Sequence, residues 1–179
     1  VAYASPATIE LRVDKLAHLF DPLDPFPMPS RDLARSAEDF IVAWARETPA
    51  KALLAIVTHL PKAEAHAGCE REISEAIRNH FATRAERLKG DLHALFRTGR
   101  TSLLIGLAML AACMTASRVI SDLFGDAATA SFVSEGLIIL GWVANWRPIE
   151  IFLYDWWPLV QQRRLNERIA AAPVEVRPY

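Results

Sequence analysis

Cysteine is scarce in this chain. Only Cys69, in a polar region, and Cys113, in an apolar run, occur among 179 residues, too few for a disulfide framework or a cysteine-based zinc site. Excess charge is missing as well. Twenty Lys and Arg stand against 21 Asp and Glu, a net charge of −1 that removes the global field which draws nucleic acid, so no nucleic-acid partner is expected. Neither a Walker loop, a GxSxG elbow, an HExxH pair nor a dinucleotide fingerprint is found, and nothing argues for an enzyme or a bound cofactor. No signal-peptide pattern is expected ahead of the polar N-terminal half, which opens on Val1. The length leaves room for one small domain and an appendage.

What is present begins with residues 8–13, where Ile9, Leu11 and Val13 alternate with Thr8, Glu10 and Arg12 in the period of a half-buried strand. Pro22, Pro25, Pro27 and Pro29 then crowd around Asp21 and Asp24, removing amide donors and predicting a rigid loop. Ser30 is placed to cap a helix over 31–47, with Leu33, Ala37, Phe40, Ile41, Ala43 and Trp44 as its apolar stripe. The short apolar run 52–60 ends at Pro61 and reads as a buried strand, completing a parallel, right-handed βαβ unit. Two strands are too few to stand alone. Residues 174–177 alternate in the same way and offer a third. From about 64 to 100, Ile73, Ile77, Phe81, Ala85, Leu88, Leu92 and Leu95 recur at helical spacing, with Gly90 and Asp91 suggesting a break and a fresh cap.

The second half has the pattern of a membrane hairpin. Residues 101–117 carry no charge and cover roughly 26 Å at about 1.5 Å per residue, which Val119 and Ile120 and a snorkelling Arg118 extend to a full span. A second span of 132–148, continuing at the interface to about 153, keeps Glu135, Arg147 and Glu150 near its ends, where charge is least costly. Trp142, Trp146, Tyr154, Trp156 and Trp157 gather at one end like a headgroup belt. Arg84, Arg87, Lys89, Arg97 and Arg100 precede the first span, and Arg147, Arg163, Arg164 and Arg168 follow the start of the exit. The loop 119–131 has Asp122 and Asp126 beside Arg118, so the positive-inside rule places both termini in the cytoplasm of a bacterial inner membrane. The organisation read here is α+β: a βαβ-like unit over 1–62, an amphipathic helix over 63–100, a transmembrane hairpin over 101–154 and a cytoplasmic tail over 155–179, which can add a strand.

Several side chains invite a chemical reading. His59, His66, Cys69 and Glu70 are metal-ligand types, but their spacing matches no recognised site and favours ordinary loop polarity. His18, Asp21 and Asp24 suggest an acid/base or cation site. Turn formation by Asp in a proline-rich loop is the stronger reading. Arg118 and Glu135 lie at facing ends of a short hairpin and are expected to pair, as are Arg147 and Glu150 three residues apart on one helix face. Asn145 is placed to hydrogen-bond across helices. Ser102 with Gly106, then Ala108, Ala112 and Ala116, and Gly136, Gly141 and Ala144 opposite, give the helices thin faces for packing within the hairpin or between copies.

The motifs Leu95-Phe96-Arg97-Thr98-Gly99-Arg100, Gly141-Trp142-Val143-Ala144-Asn145-Trp146-Arg147-Pro148-Ile149-Glu150 and Tyr154-Asp155-Trp156-Trp157-Pro158 together resemble an uncharacterised family of bacterial two-span inner-membrane proteins. Leu19-Phe20-Asp21-Pro22-Leu23-Asp24-Pro25-Phe26 with Asp32-Leu33 resembles its leading domain. The resemblance implies two spans and transfers no catalytic residue. The expectation is a membrane-anchored interaction or assembly protein whose partners are the lipid bilayer and a second protein or copy of itself. The alternative is a subunit of an oligomeric transporter or channel with Arg118, Glu135 and Asn145 along a polar route. A membrane-surface enzyme needs a pocket joining His18, Asp21, Asp24 or His59.

Overall fold

A computed structural model describes residues 7–26, 31–49, 52–66, 68–125 and 128–179. The period-two segment forms strand β1 (Ala7–Arg12), with Ile9 and Leu11 buried and Glu10 and Arg12 outward. A 3₁₀ turn (Leu16–Leu19) follows, and Leu33 then bridges back antiparallel to Phe20. That bridge holds residues 31–34 extended, so helix α1 spans Arg35–Glu47 and starts four residues later than its apolar pattern suggests. The Ser30 cap lies outside the described residues. Ala37, Ile41 and Ala45 face the core, while Phe40 and Trp44 turn outward and meet at a tilt, their ring centres 6.2 Å apart.

Strand β2 (Leu54–Leu60) pairs in parallel with β1, Ile9 beside Ile56 and Leu11 beside Thr58. The C-terminal residues do return: β3 (Val174–Pro178) pairs in parallel with the other edge of β2, Val174 beside Ile56. The sheet order is β1-β2-β3. Strands that advance in one direction through right-handed crossovers deliver every crossover helix to the same face. Accordingly Ile9, Leu11, Leu54, Ile56, Leu60 and Val174 share one core with Ala37 and Ile41 of α1, with Ile73, Ile77 and Phe81 of helix α2 (Cys69–Phe124), and with Ile169 of helix α5 (Trp156–Ala170). The sheet, the N-terminal part of α2 and the end of α5 form one compact unit, residues Val1–Leu88 with Gln161–Tyr179. The amphipathic helix expected over 63–100 to lead to the membrane falls mostly within α2, with the boundary between units at Leu88, and the expected C-terminal tail over 155–179 holds α5 and β3.

The second unit is Lys89–Val160. It holds the rest of α2, helix α3 (Ala128–Val143), the single turn α4 (Trp146–Glu150), a π-helical stretch Ile151–Asp155 and the start of α5. No break occurs at Gly90: α2 runs continuously, because a lone glycine costs only about 1 kcal/mol in a helix whose neighbours favour it. Cys69–Phe124 and Ala128–Ala170 each contain a stretch long and apolar enough to cross a membrane. Their mutual seam is narrow. Gly106, Cys113 and Ser117 on α2 are buried, as are Ala130, Ser134 and Gly141 on α3 and the following Asn145. Ala108 and Ala112 are exposed, Ala116 is half-buried, and a Cβ at Gly136 meets nothing within 4 Å, so of the small residues expected to pack within the hairpin or between copies these four lie outside the close seam within the hairpin.

Candidate functional site

In the first unit the most organised polar group is centred on His80, which the sequence reading missed. Its imidazole is nearly buried and packs edge-on against Phe81, with ring centres 5.2 Å apart. Nδ1 lies 3.0 Å from Asp32 Oδ1 and Nε2 lies 3.3 Å from Glu38 Oε2. Each ring nitrogen thus has a carboxylate oxygen as its partner. The other Glu38 oxygen pairs with Arg84. Three elements are thereby tied: the strand-like stretch before α1, α1 itself and α2. Asp32 is in turn fixed by its own N–H, which donates to Asp24 Oδ2 at 2.6 Å, and by its carbonyl, which accepts the Asp21 N–H at 2.9 Å.

The aspartates of the proline-rich loop do turn chemistry. Asp21 Oδ1 accepts the Leu23 N–H and Asp24 Oδ1 accepts the Phe26 N–H. These backbone donors, from Asp32 first and Phe26 second, hold the Asp24 carboxyl below its ordinary range. His18 stands exposed on its 3₁₀ turn. His59 faces Glu10 at 3.7 Å, His66 faces Glu72 at 3.7 Å, and Cys69 is buried in the core, where desolvation raises its thiol pKa. Among the described residues no three His, Cys, Asp or Glu side chains are placed together as metal ligands.

A second unanticipated group is Arg168 on α5. Its Nη2 donates to the carbonyls of Ala52 at 2.8 Å and Pro49 at 2.9 Å, Nε to Ala52 at 3.2 Å and Nη1 to Thr48 at 3.4 Å. One guanidinium thus fastens the returning chain to the connection between α1 and β2.

In the second unit Asn145 crosses the seam as the sequence suggests, its Nδ2 donating to Gly106 O at 3.1 Å and Gly141 O at 2.9 Å. A Cβ at Gly106 lies 2.7 Å from Asn145 Oδ1, and one at Gly141 lies 2.8 Å from Leu110 Cδ1, so both glycines are needed for the approach. At the turn end Arg118 and Glu135 are both exposed, and among the described residues they make no ion pair with each other. The contact there is Ser121 Oγ to Ser134 Oγ at 3.2 Å, with Ser134 also donating to the Ser117 carbonyl. Short serines fit a seam only small residues can enter, and the longer charged pair stays outside it.

At the opposite end Arg147 does meet Glu150, at 3.2 Å, and also Asp155 at 3.1 Å, while Trp146 Nε1 donates to Glu150. Trp156 Nε1 donates to the Phe152 carbonyl inside the π-helical stretch and its ring lies against Trp157. Phe96 stacks on Phe152. Trp142, Trp146, Tyr154 and Trp157 are exposed and Trp156 is half-buried.

These groups hold and orient, and none presents a nucleophile to an acid/base partner. Comparison with protein-family models, with curated proteins and with solved structures finds no match.

Proposed function

We propose that the chain is a membrane-anchored interaction or assembly protein of the bacterial inner membrane, its α2–α3 hairpin inserted in the bilayer and its α/β unit presented in the cytoplasm. The observation that carries this reading is the β2–β3 pairing. The chain leaves the first unit after Leu88 and returns to it at Gln161, so any membrane crossings in between must be even in number. Two long apolar helices supply two. Only 17% and 22% of their most apolar windows are buried within the protein, unlike the core helix of a water-soluble domain. Leu104, Ile105, Phe132, Ile139 and Leu153 lie on the outside, a surface that hydrocarbon rather than water would cover. The seam of Gly106, Gly141 and Asn145 is of the kind that joins helices in lipid.

The arginines flanking the hairpin favour the cytoplasm for the folded unit by the positive-inside rule, and the exposed tryptophans suit the inner headgroup level. On the motifs that carry the resemblance we place the chain with the bacterial two-span family. Alkaline carbonate extraction of membranes from expressing cells tests the anchor. Retention in the membrane pellet is expected, and release into the supernatant with peripheral proteins would contradict it.

A further inference from the structure

All-parallel sheets are almost always covered on both faces. Here the helices among the described residues lie on one face, and the other carries two rows across the three strands, in which Val57, at the centre, is itself buried. Glu10, Val57 and Glu175 are aligned in one row; Arg12, His59 and Arg177 are aligned in the next. Glu10, Glu175 and Arg177 are each more than half exposed. Among the described residues these charges pair sideways: His59 with Glu10, Arg177 with Glu175 at 3.1 Å, and Arg12 against the Tyr179 ring at 4.4 Å.

From these rows we infer that the open sheet face is a docking surface for a second copy of this chain. A twofold axis running across the strands, midway between the rows, reverses strand direction and keeps each strand opposite its own copy. The acidic row of one copy then faces the basic row of the other, Arg12 opposite Glu10 and Arg177 opposite Glu175, and His59 lies opposite Val57. The same axis brings Tyr179, at the C-terminal end of the face, over the level of Ala55 and Pro173, where side chains are small. Rotation about the strand direction instead sets basic row on basic row, so charge selects one arrangement. Face-to-face sheets with strands nearly aligned are a standard packing.

Three strands about 4.8 Å apart and five residues long at about 3.3 Å each present a face on the order of 250 Å². Two such faces give about 500 Å², well below the roughly 1,200 Å² of total buried surface needed for a stable dimer in solution. The contact therefore depends on copies being concentrated by a shared membrane, where tethering raises the effective concentration. In this respect the inference rests on the anchored reading above.

The test uses the full chain in liposomes, with Cys69 and Cys113 replaced by serine, His59→Cys as the reporter, and a short bis-maleimide as the probe. One variant carries Arg12→Glu with Arg177→Glu, making both rows acidic; the other carries Glu10→Arg with Glu175→Arg, making both basic. The reporter alone is expected to cross-link. Each variant by itself is expected to lose at least ten-fold in yield, and the two mixed in one vesicle to recover to within about two-fold as a heterodimer. No cross-linking of the reporter, or equal yields from all samples, overturns the proposal. So does equal loss in the mixture as in the separate variants, since a general folding defect is not repaired by mixing. Flotation of the same vesicles reads the anchor independently: protein that floats without cross-linking sinks the dimer alone, and protein that does not float sinks the anchored reading.

Discussion

Replacing Arg168 by alanine removes every side-chain donor that fastens α5 to the α1–β2 connection. Its two shortest contacts, 2.8 Å to Ala52 and 2.9 Å to Pro49, are charge-assisted, and such bonds are worth about 1.5–3 kcal/mol each before partial compensation by water. The side chain is half-buried, so water reaches some of the freed carbonyls, and we expect a net loss of about 2–3 kcal/mol. The loss falls on the first unit, because Arg168 adjoins the core residue Ile169 and stands six residues before β3. Amide exchange followed by mass spectrometry reads it directly at Ile56, whose N–H donates to Pro173 O, and at Tyr179, whose N–H donates to Leu60 O. At about 1.4 kcal/mol per decade, protection there should fall about 30- to 150-fold. Arg168→Lys, one ammonium in place of a fork, should fall between. Protection in Arg168→Ala within two-fold of the parent would refute the reasoning.

Three further outcomes follow from the same geometry. Gly106→Val drives a side chain into Asn145 and the Ala144 carbonyl and should loosen the hairpin by about 1–3 kcal/mol, whereas Gly136→Ala, with open space around it, should be neutral; sensitivity of the α2–α3 seam to detergent distinguishes them. His80→Ala leaves Asp32 and the nearly buried Glu38 without the imidazole they share and should cost about 2–3 kcal/mol, read as faster proteolysis between β1 and α1; unchanged cleavage counts against the cluster. Because the folded Asp24 carboxyl sits below its unfolded value, its contribution is present above about pH 4 and lost as acid protonates it; the protection of the Asp32 amide should therefore fall at acidic pH, and Asp24→Asn should abolish that dependence.

Local pattern made much of this fold readable. The alternation of Ile9 and Leu11, the apolar run ending at Leu60, and the alternation at 174–177 each became a strand, whereas Gly90 and Asp91 suggested a helix break that the continuous apolar spacing on both sides overrides. The pair Arg147–Glu150 was legible because its partners stand three residues apart. Contacts that close over long separations were not. His80 lies 48 residues from Asp32, and Arg168 lies 116 from Ala52, so no window displays them together. Arg118 and Glu135 misled for a different reason: opposite charge at facing helix ends looks like a pair, yet the close approach set by Ser117, Ser121 and Ser134 leaves both side chains outside the seam. The outward turn of Phe40 and Trp44 was likewise hidden, since a stripe broad enough to include them also fits a helix that buries only Ala37, Ile41 and Ala45.

The most direct test of the anchored reading is the accessibility of single cysteines, placed by Asp122→Cys near the end of α2 and by Ala171→Cys just after α5, in a background lacking Cys69 and Cys113. In spheroplasts an impermeant maleimide should label Asp122→Cys and spare Ala171→Cys, and in inverted vesicles the pattern should reverse. Labelling of both positions from the same side would contradict a hairpin that crosses the membrane twice between them.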